Sequence, residues 1–93
     1  MIFIRRCKNN VYMSADLVKI MPNFTVGIYY VGGVRHIAFV ETNENNDEKI
    51  PYTLRNNTAY ISWTNLAEML PNGKRVKGVY YKNDKAIVFK LNK

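Results

Sequence analysis

The side chains able to transfer a proton, attack a carbon or hold a metal are few in this chain, and they do not converge. There is one cysteine, Cys7, and one histidine, His36. Nucleophilic catalysis needs a thiol or hydroxyl within reach of a base, whereas Cys7 lies in a β-favouring run, where a small half-buried strand residue is the ordinary role. His36 follows Arg35 in another such run and reads as a surface or locally satisfied strand residue. The carboxylates Glu41, Glu44, Asp47 and Glu48 fall in or beside one polar stretch, as a solvated loop does, without the ligand spacing of a cation site. No Cys/His ligand set, phosphate-binding glycine pattern or nucleophile elbow occurs. The chain reads as a binding protein and not an enzyme, with no catalytic residue, no metal ligand and no cofactor.

The cations are a different matter. Fourteen Lys and Arg stand against seven Asp and Glu, a net charge of +7 in 93 residues, which points to a polyanion or an acidic protein surface. They gather in two places. Arg5, Arg6 and Lys8 form a basic strand and turn near the N-terminus, joined at the equivalent place of a later segment by Arg55. Lys74, Arg75, Lys77, Lys82, Lys85, Lys90 and Lys93 form a second group, offset only by Asp84. Phosphate neutralisation by such groups is strongly salt-dependent and largely blind to sequence, and the excess of Lys over Arg favours backbone contact over bidentate reading of bases. The same lysines would also charge a strand edge against sheet-to-sheet aggregation. In a strand, Tyr29 and Tyr30 point to opposite faces, as do Tyr80 and Tyr81, so one of each pair faces outward. Exposed tyrosines suit single-stranded base stacking and protein contacts alike.

What must position these residues is a unit of about 45 residues that occurs twice. Asn9-Asn10-Val11-Tyr12-Met13-Ser14 matches Asn57-Thr58-Ala59-Tyr60-Ile61-Ser62, and Leu17-Val18-Lys19-Ile20-Met21-Pro22-Asn23 matches Leu66-Ala67-Glu68-Met69-Leu70-Pro71-Asn72. Gly27-Ile28-Tyr29-Tyr30 matches Gly78-Val79-Tyr80-Tyr81, and Ile37-Ala38-Phe39 matches Ile87-Val88-Phe89, all at offsets of 48 to 51 residues. Each copy opens with a strand, Ile2 to Arg6 or Pro51 to Arg55. An Asn-rich turn follows, Lys8-Asn9-Asn10 or Asn56-Asn57-Thr58, then a short strand, Val11 to Met13 or Ala59 to Ile61. Ser14 and Ser62 stand where helix N-caps are expected. Leu17, Ile20, Met21 and Leu66, Met69, Leu70 are spaced to give each short helix one apolar stripe, which Pro22 and Pro71 end. Two hairpins complete the copies: Phe24 to Val31 with Val34 to Glu41 around Gly32-Gly33, and Arg75 to Lys82 with Lys85 to Leu91 around Asn83-Asp84.

This order of elements resembles the swapped-hairpin unit of the AbrB, MazE and MraZ group of DNA-binding proteins. Asn9 to Val18 lies where that group carries a Gly-Arg-hydrophobic-Ile-Pro-x-Glu-Leu-Arg signature, with Val26 to Val31 and Ile37 to Val40 as the closing hairpin; Asn57 to Leu66 and Val76 to Val88 repeat the pattern. Asn9-Asn10 and Asn57-Thr58 replace the Gly-Arg pair, Ser14 and Ser62 replace the proline, and the helix arginines become Lys19 and Glu68. The resemblance implies that one chain holds both halves of a two-chain dimer, interleaved into a small pseudo-two-fold β-barrel, mainly β with two short helices, in which neither half is stable alone.

The expected organisation is therefore one domain over 1–93, with a first repeat at 1–42, an acidic linker at 43–49 and a second repeat at 50–93. A hydrophobic fraction of 47% and a charged fraction of 23% are those of an ordinary folded chain. Met1-Ile2-Phe3-Ile4 runs into Arg5-Arg6, the reverse of a signal peptide's charge order, no apolar run is long enough for a membrane helix, and a lone cysteine suits a cytoplasmic location. Three binding roles follow. The first is a small DNA-binding regulator or antitoxin-like module, with Arg5, Arg6, Lys8, Asn10, Lys19 and Arg55 facing DNA and Lys74, Arg75 and Lys77 as further contacts. The second is an interaction module or mobile-element inhibitor that meets an acidic protein. The third is an RNA or single-strand binder that uses the tyrosines. No membrane contact is expected, and the chain acts as a monomer or a homodimer.

Overall fold

The computed structural model describes residues 1–56 and 58–91; the expected turn residue Asn57 and the expected cation Lys93 lie outside them. The strands are β1 (Phe3–Cys7), β2 (Asn10–Met13), β3 (Phe24–Val31), β4 (Val34–Glu41), β5 (Thr53–Arg55), β6 (Thr58–Ser62), β7 (Arg75–Tyr81) and β8 (Ala86–Lys90). Two short helices, α1 (Ala15–Ile20) and α2 (Thr64–Ala67), follow β2 and β6. All eight strands join one antiparallel sheet in the order β3-β4-β8-β7-β1-β2-β6-β5, curled into a half-barrel. Its concave side holds the core: Ile4, Val11, Leu17, Met21, Phe24, Ile37, Phe39, Leu66, Ile87 and Phe89 are fully buried.

Strands that hold the same place in the two matched segments pair with each other. β2 lies against β6, with Val11 opposite Ile61 and Tyr12 opposite Tyr60, and β4 lies against β8, with Ala38 opposite Val88. The helices cross over in the same way, α1 packing on β6 and α2 on β2. Each helix stripe is thus covered by a strand from the other segment.

The expected small barrel is a half-barrel, open along one seam. β1 pairs with β7, whereas across the corresponding seam between β5 and β3 the described residues make an Ile50 N–H to Phe24 carbonyl bond (2.8 Å) and a Tyr52 hydroxyl to Pro22 carbonyl bond (2.9 Å) in place of a strand ladder. β5 begins at Thr53 and not at Pro51, because a proline offers no N–H to a ladder. The acidic stretch 43–49 is exposed as expected, yet ordered: the Asn43 and Asn46 side chains accept from the Asn45 and Glu48 N–H groups at 3.1 and 2.7 Å, the Asx turns this composition favours.

The expected serine caps are corrected. Ser14 occupies the N-cap of α1 but makes no side-chain cap bond; its hydroxyl accepts from the Phe3 N–H at 3.1 Å, and its own N–H donates to the Phe3 carbonyl at 3.0 Å, extending the β1–β2 ladder. Ser62 is the last residue of β6, opposite Asn10, and its hydroxyl donates to Asn10 Oδ1 at 3.2 Å. The N-cap of α2 is Trp63, within the one-residue insertion between the matched blocks. α2 is a single turn, so Met69 and Leu70 lie beyond it, and Ile20 of α1 is 36% exposed while Leu17 and Met21 are buried.

The first hairpin turns at Gly32 and Gly33, with φ of 58° and 80°, as a two-residue turn with both central residues at positive φ requires. The second does not turn at Asn83-Asp84 alone: Lys82–Asp84 form one 3-10 turn and Lys85 takes the positive φ of 50°. The register shifts with it. Gly27 sits opposite Ala38, but its sequence match Gly78 sits opposite Phe89, with Val79 opposite Val88. A shift of one residue reverses a strand's faces, so Gly27 faces outward and Gly78 faces the core. A Cβ on Gly78 would lie 2.5 Å from the Phe89 ring and 2.9 Å from Ile87, whereas one on Gly27 would meet nothing within 4 Å.

Gly78→Ala should therefore cost about 1–3 kcal/mol by overpacking, and Gly27→Ala should be neutral or stabilising by up to about 1 kcal/mol, because it only removes chain entropy. Urea unfolding of the two variants in dilute solution separates these outcomes; equal effects would contradict the register.

Candidate nucleic-acid interface

The core takes one face of every strand but β5, whose residues are all exposed, and the opposite faces form the convex side of the sheet. Across β7, β1, β2, β6 and β5 this face carries one continuous cross-strand row. Arg75 is opposite Arg5, Arg5 opposite Tyr12, Tyr12 opposite Tyr60, and Tyr60 opposite Thr53. The Tyr12 and Tyr60 rings stack with centroids 5.3 Å apart and planes at 28°. The Arg5 guanidinium lies over the Tyr12 ring at 5.4 Å, and that of Arg75 over the Phe3 ring at 4.4 Å. Such contacts contribute about 0.5–1 kcal/mol each at exposed sites, and they hold both guanidinium groups without consuming an N–H donor.

Arg5 and Arg75 are like charges placed directly opposite each other, an arrangement that is destabilising by itself. Neither has a carboxylate partner among the described residues. Among the described residues the ion pair is that of the Met1 ammonium with Asp16, at 2.7 Å. That ammonium, through its hydrogen bond first and its charge second, holds the Asp16 carboxyl below its ordinary 3.8, with Lys19 adding to the effect. Asp16 lines a cleft of about 370 Å³ together with Phe3, Arg5, Tyr12, Ser14 and Arg75, but its charge is directed to the terminus.

Of the residues singled out from sequence, Arg5, Asn10, Arg55, Arg75 and Lys77 come together on this convex face: Lys77 sits opposite Phe3, Asn10 opposite Cys7 and Ser62, and Arg55 opposite Thr58. Arg6 alternates to the other side of β1 and donates from Nε to the Lys8 carbonyl at 3.0 Å. Lys8 stands in the β1–β2 turn with φ of 56°. Lys74 precedes β7 and lines a second cleft of about 600 Å³ with Glu68, Met69 and Lys90, to which Arg75 and Lys77 of the row also contribute. Lys19 lies on α1 one turn beyond Asp16, near enough to help lower that carboxyl, and Asp16 borders the cleft that Arg5 and Arg75 line. The residues that sequence reasoning missed are Phe3, Tyr12 and Tyr60. Tyr12 and Tyr60 occupy the same place in the matched segments, and once β2 and β6 pair antiparallel this identity puts them side by side.

His36 and Cys7 keep ordinary strand roles. The His36 ring stacks on Tyr29 at 5.1 Å and its Nδ1 lies 2.9 Å from the Val34 carbonyl oxygen, so that nitrogen donates; Cys7 is a half-buried free thiol. No group of three or more potential metal ligands occurs among the described residues, and no helix there is long and apolar enough to cross a membrane. Of Tyr29 and Tyr30 both are exposed, at 39% and 61%, because this hairpin reaches past the core. Compared with protein-family models, curated proteins and solved structures, the chain matches none.

The stacked row predicts measurable coupling. Tyr12→Ala and Tyr60→Ala should each destabilise, and their double-mutant cycle should give a coupling of about 0.5–1.5 kcal/mol; additive losses would mean that the rings do not touch in solution.

Proposed function

We propose that this chain is a small DNA-binding protein, of regulator or antitoxin type, that lays the convex face of β7-β1-β2-β6 against the phosphate backbone. The observation that carries this reading is that Arg5 and Arg75 hold opposite register positions on β1 and β7, each guanidinium lying over an aromatic ring and neither in an ion pair among the described residues. A like-charge pair of this kind is relieved by a bound anion, and guanidinium groups braced on aromatic rings present their N–H donors in a fixed fork, the geometry a phosphate accepts. Lys77 and Arg55 extend the positive surface along neighbouring strands, and Asn10 adds an amide beside the row.

The pairing of β2 with β6 and β4 with β8 supports the swapped-hairpin reading of the chain, in which two tandem copies do the work of a dimer. The tyrosines favour duplex over single-strand contact. Tyr12 has Arg5 on one neighbouring strand and the Tyr60 ring on the other, so its ring is engaged before any base arrives, whereas a stacking platform needs free ring faces.

Fluorescence anisotropy with a labelled random-sequence duplex tests this reading. With about five phosphate contacts, affinity should fall roughly 10²–10³-fold between about 50 and 200 mM salt. Arg5→Ala and Arg75→Ala should each weaken binding and lower the salt slope by about one contact. No binding to duplex at the lower salt would overturn the reading, and tighter binding to single strands would replace it with the single-strand alternative.

A further inference from the structure

The sheet has two free edges, and they differ. β5 is three residues long and ends in Arg55. β3 is eight residues long and reads Phe-Thr-Val-Gly-Ile-Tyr-Tyr-Val, with no charge and no proline. Its free side can be assigned from two bonds: the Asn23 carbonyl accepts from Thr42 on the β4 side at 3.0 Å, and the Phe24 carbonyl accepts from Ile50 on the other side at 2.8 Å. By alternation, Val26, Ile28 and Tyr30 turn their N–H and C=O groups to the free edge, where the sheet order places no further strand. Ile28, Tyr30 and Val31 are 41%, 61% and 57% exposed. Long uncharged edges of this kind are what natural sheets break with charge, proline or a bulge unless something covers them.

We propose that a second copy of this chain covers it, β3 pairing antiparallel with β3 about a two-fold axis at Ile28, so that one sheet runs through both molecules. Three observations select this occupant and this register. Phe24 is already bonded to Ile50, so the free run is Thr25 to Val31, and Ile28 is its midpoint. Pairing about that midpoint puts Ile28 against its own copy and Val26 against the copy's Tyr30, each as a hydrogen-bonded pair.

The same register sets Gly27 against the copy's Tyr29 as a close, non-hydrogen-bonded pair. Gly27 is open, with nothing within 4 Å of a Cβ, whereas the other strand glycine, Gly78, lies under the ring of its cross-strand neighbour Phe89. Gly78 turns its N–H to β1, bonding the Ile2 carbonyl at 2.9 Å, so its pair with Phe89 is also of the non-hydrogen-bonded kind. An aromatic ring over a strand glycine is a recognised way to cover the exposed backbone, and the copy's Tyr29 supplies the one that Gly27 lacks.

Charge favours this place as well. Two molecules of net charge +7 repel wherever their lysines and arginines meet, and β3 lets their backbones meet without such a contact. Arg35, opposite Tyr30 on β4, is held on its own hairpin: its Nε donates to the Tyr30 hydroxyl at 3.0 Å and its guanidinium lies over that ring at 5.6 Å.

Sedimentation equilibrium of the full chain, without nucleic acid, tests the proposal. The expected mass is twice 10.8 kDa. Ile28→Pro removes an N–H that the chain's own ladder does not use, so it should keep the far-UV circular dichroism of the parent and sediment as a single chain. Ile28→Lys, which brings two cations together at the axis, should do the same and decides the matter if the proline variant does not fold. A parent chain that stays at 10.8 kDa up to the highest soluble concentration would overturn the proposal, as would a folded Ile28→Lys protein that keeps the doubled mass.

Discussion

The antiparallel pairing of β2 with β6 is the contact on which the rest of the molecule hangs. It sets Val11 and Met13 of one strand and Ala59 and Ile61 of the other on the same side, where α1 and α2 cross over to bury them. Each helix stripe is thus covered by a strand of the other matched segment, which ties the two segments into one core. The same pairing leaves Tyr12 beside Tyr60 on the opposite side, and β1, bonded to β2, then delivers Arg5 next to that stack. A period of two leaves a strand no other choice: what the core does not take, the surface receives.

That surface concentrates charge. Arg5 and Arg75 stand opposite each other, neither in an ion pair among the described residues, and the cation–π contacts to Tyr12 and Phe3 offset the repulsion this placement brings. In a chain with seven carboxylates, a Glu at either position would remove the repulsion at once. Glu44, Asp47 and Glu48 lie in the 43–49 turns, Glu41, Glu68 and Asp84 elsewhere, and Asp16 is held by the Met1 ammonium. The two guanidinium groups thus keep their N–H donors clear of ion pairs among the described residues, as the proposed binding role requires.

Much of this was legible in the residues. Periodicity placed most of the strands, and the matched blocks showed which segments correspond, but not which strands would pair. The terminal serines were not legible. Ser14 and Ser62 have the right type for a cap, but a hydroxyl at a strand end also satisfies a ladder, and only the tertiary register decides which amide it meets. The face of Gly78 was hidden for a related reason. Its match to Gly27 is clear by identity, yet the longer turn at Lys82–Lys85 moves the pairing by one residue and reverses the face. Basic clusters were visible as composition, but their division between the row, the β1–β2 turn and α1 depended on strand parity and on which side the helix packs.

The two flanks of the tyrosine pair explain why one chain with two copies differs from two chains with one. In a dimer of identical units, whatever flanks Tyr12 must also flank Tyr60. Here Arg5 flanks Tyr12 on β1, with Arg75 beyond it on β7, while Thr53 flanks Tyr60 on β5 and no further strand follows. The two matched segments are therefore not equivalent in the sheet: cations stand on the flank where β1 and β7 close the seam, while the other flank ends in β5, three residues long after Pro51, and leaves β3 uncovered. The one-sided charge of the convex face and the bare edge of the sheet both follow from the short β5, which withholds from one flank a strand that could carry charge and a strand that could cover its neighbour.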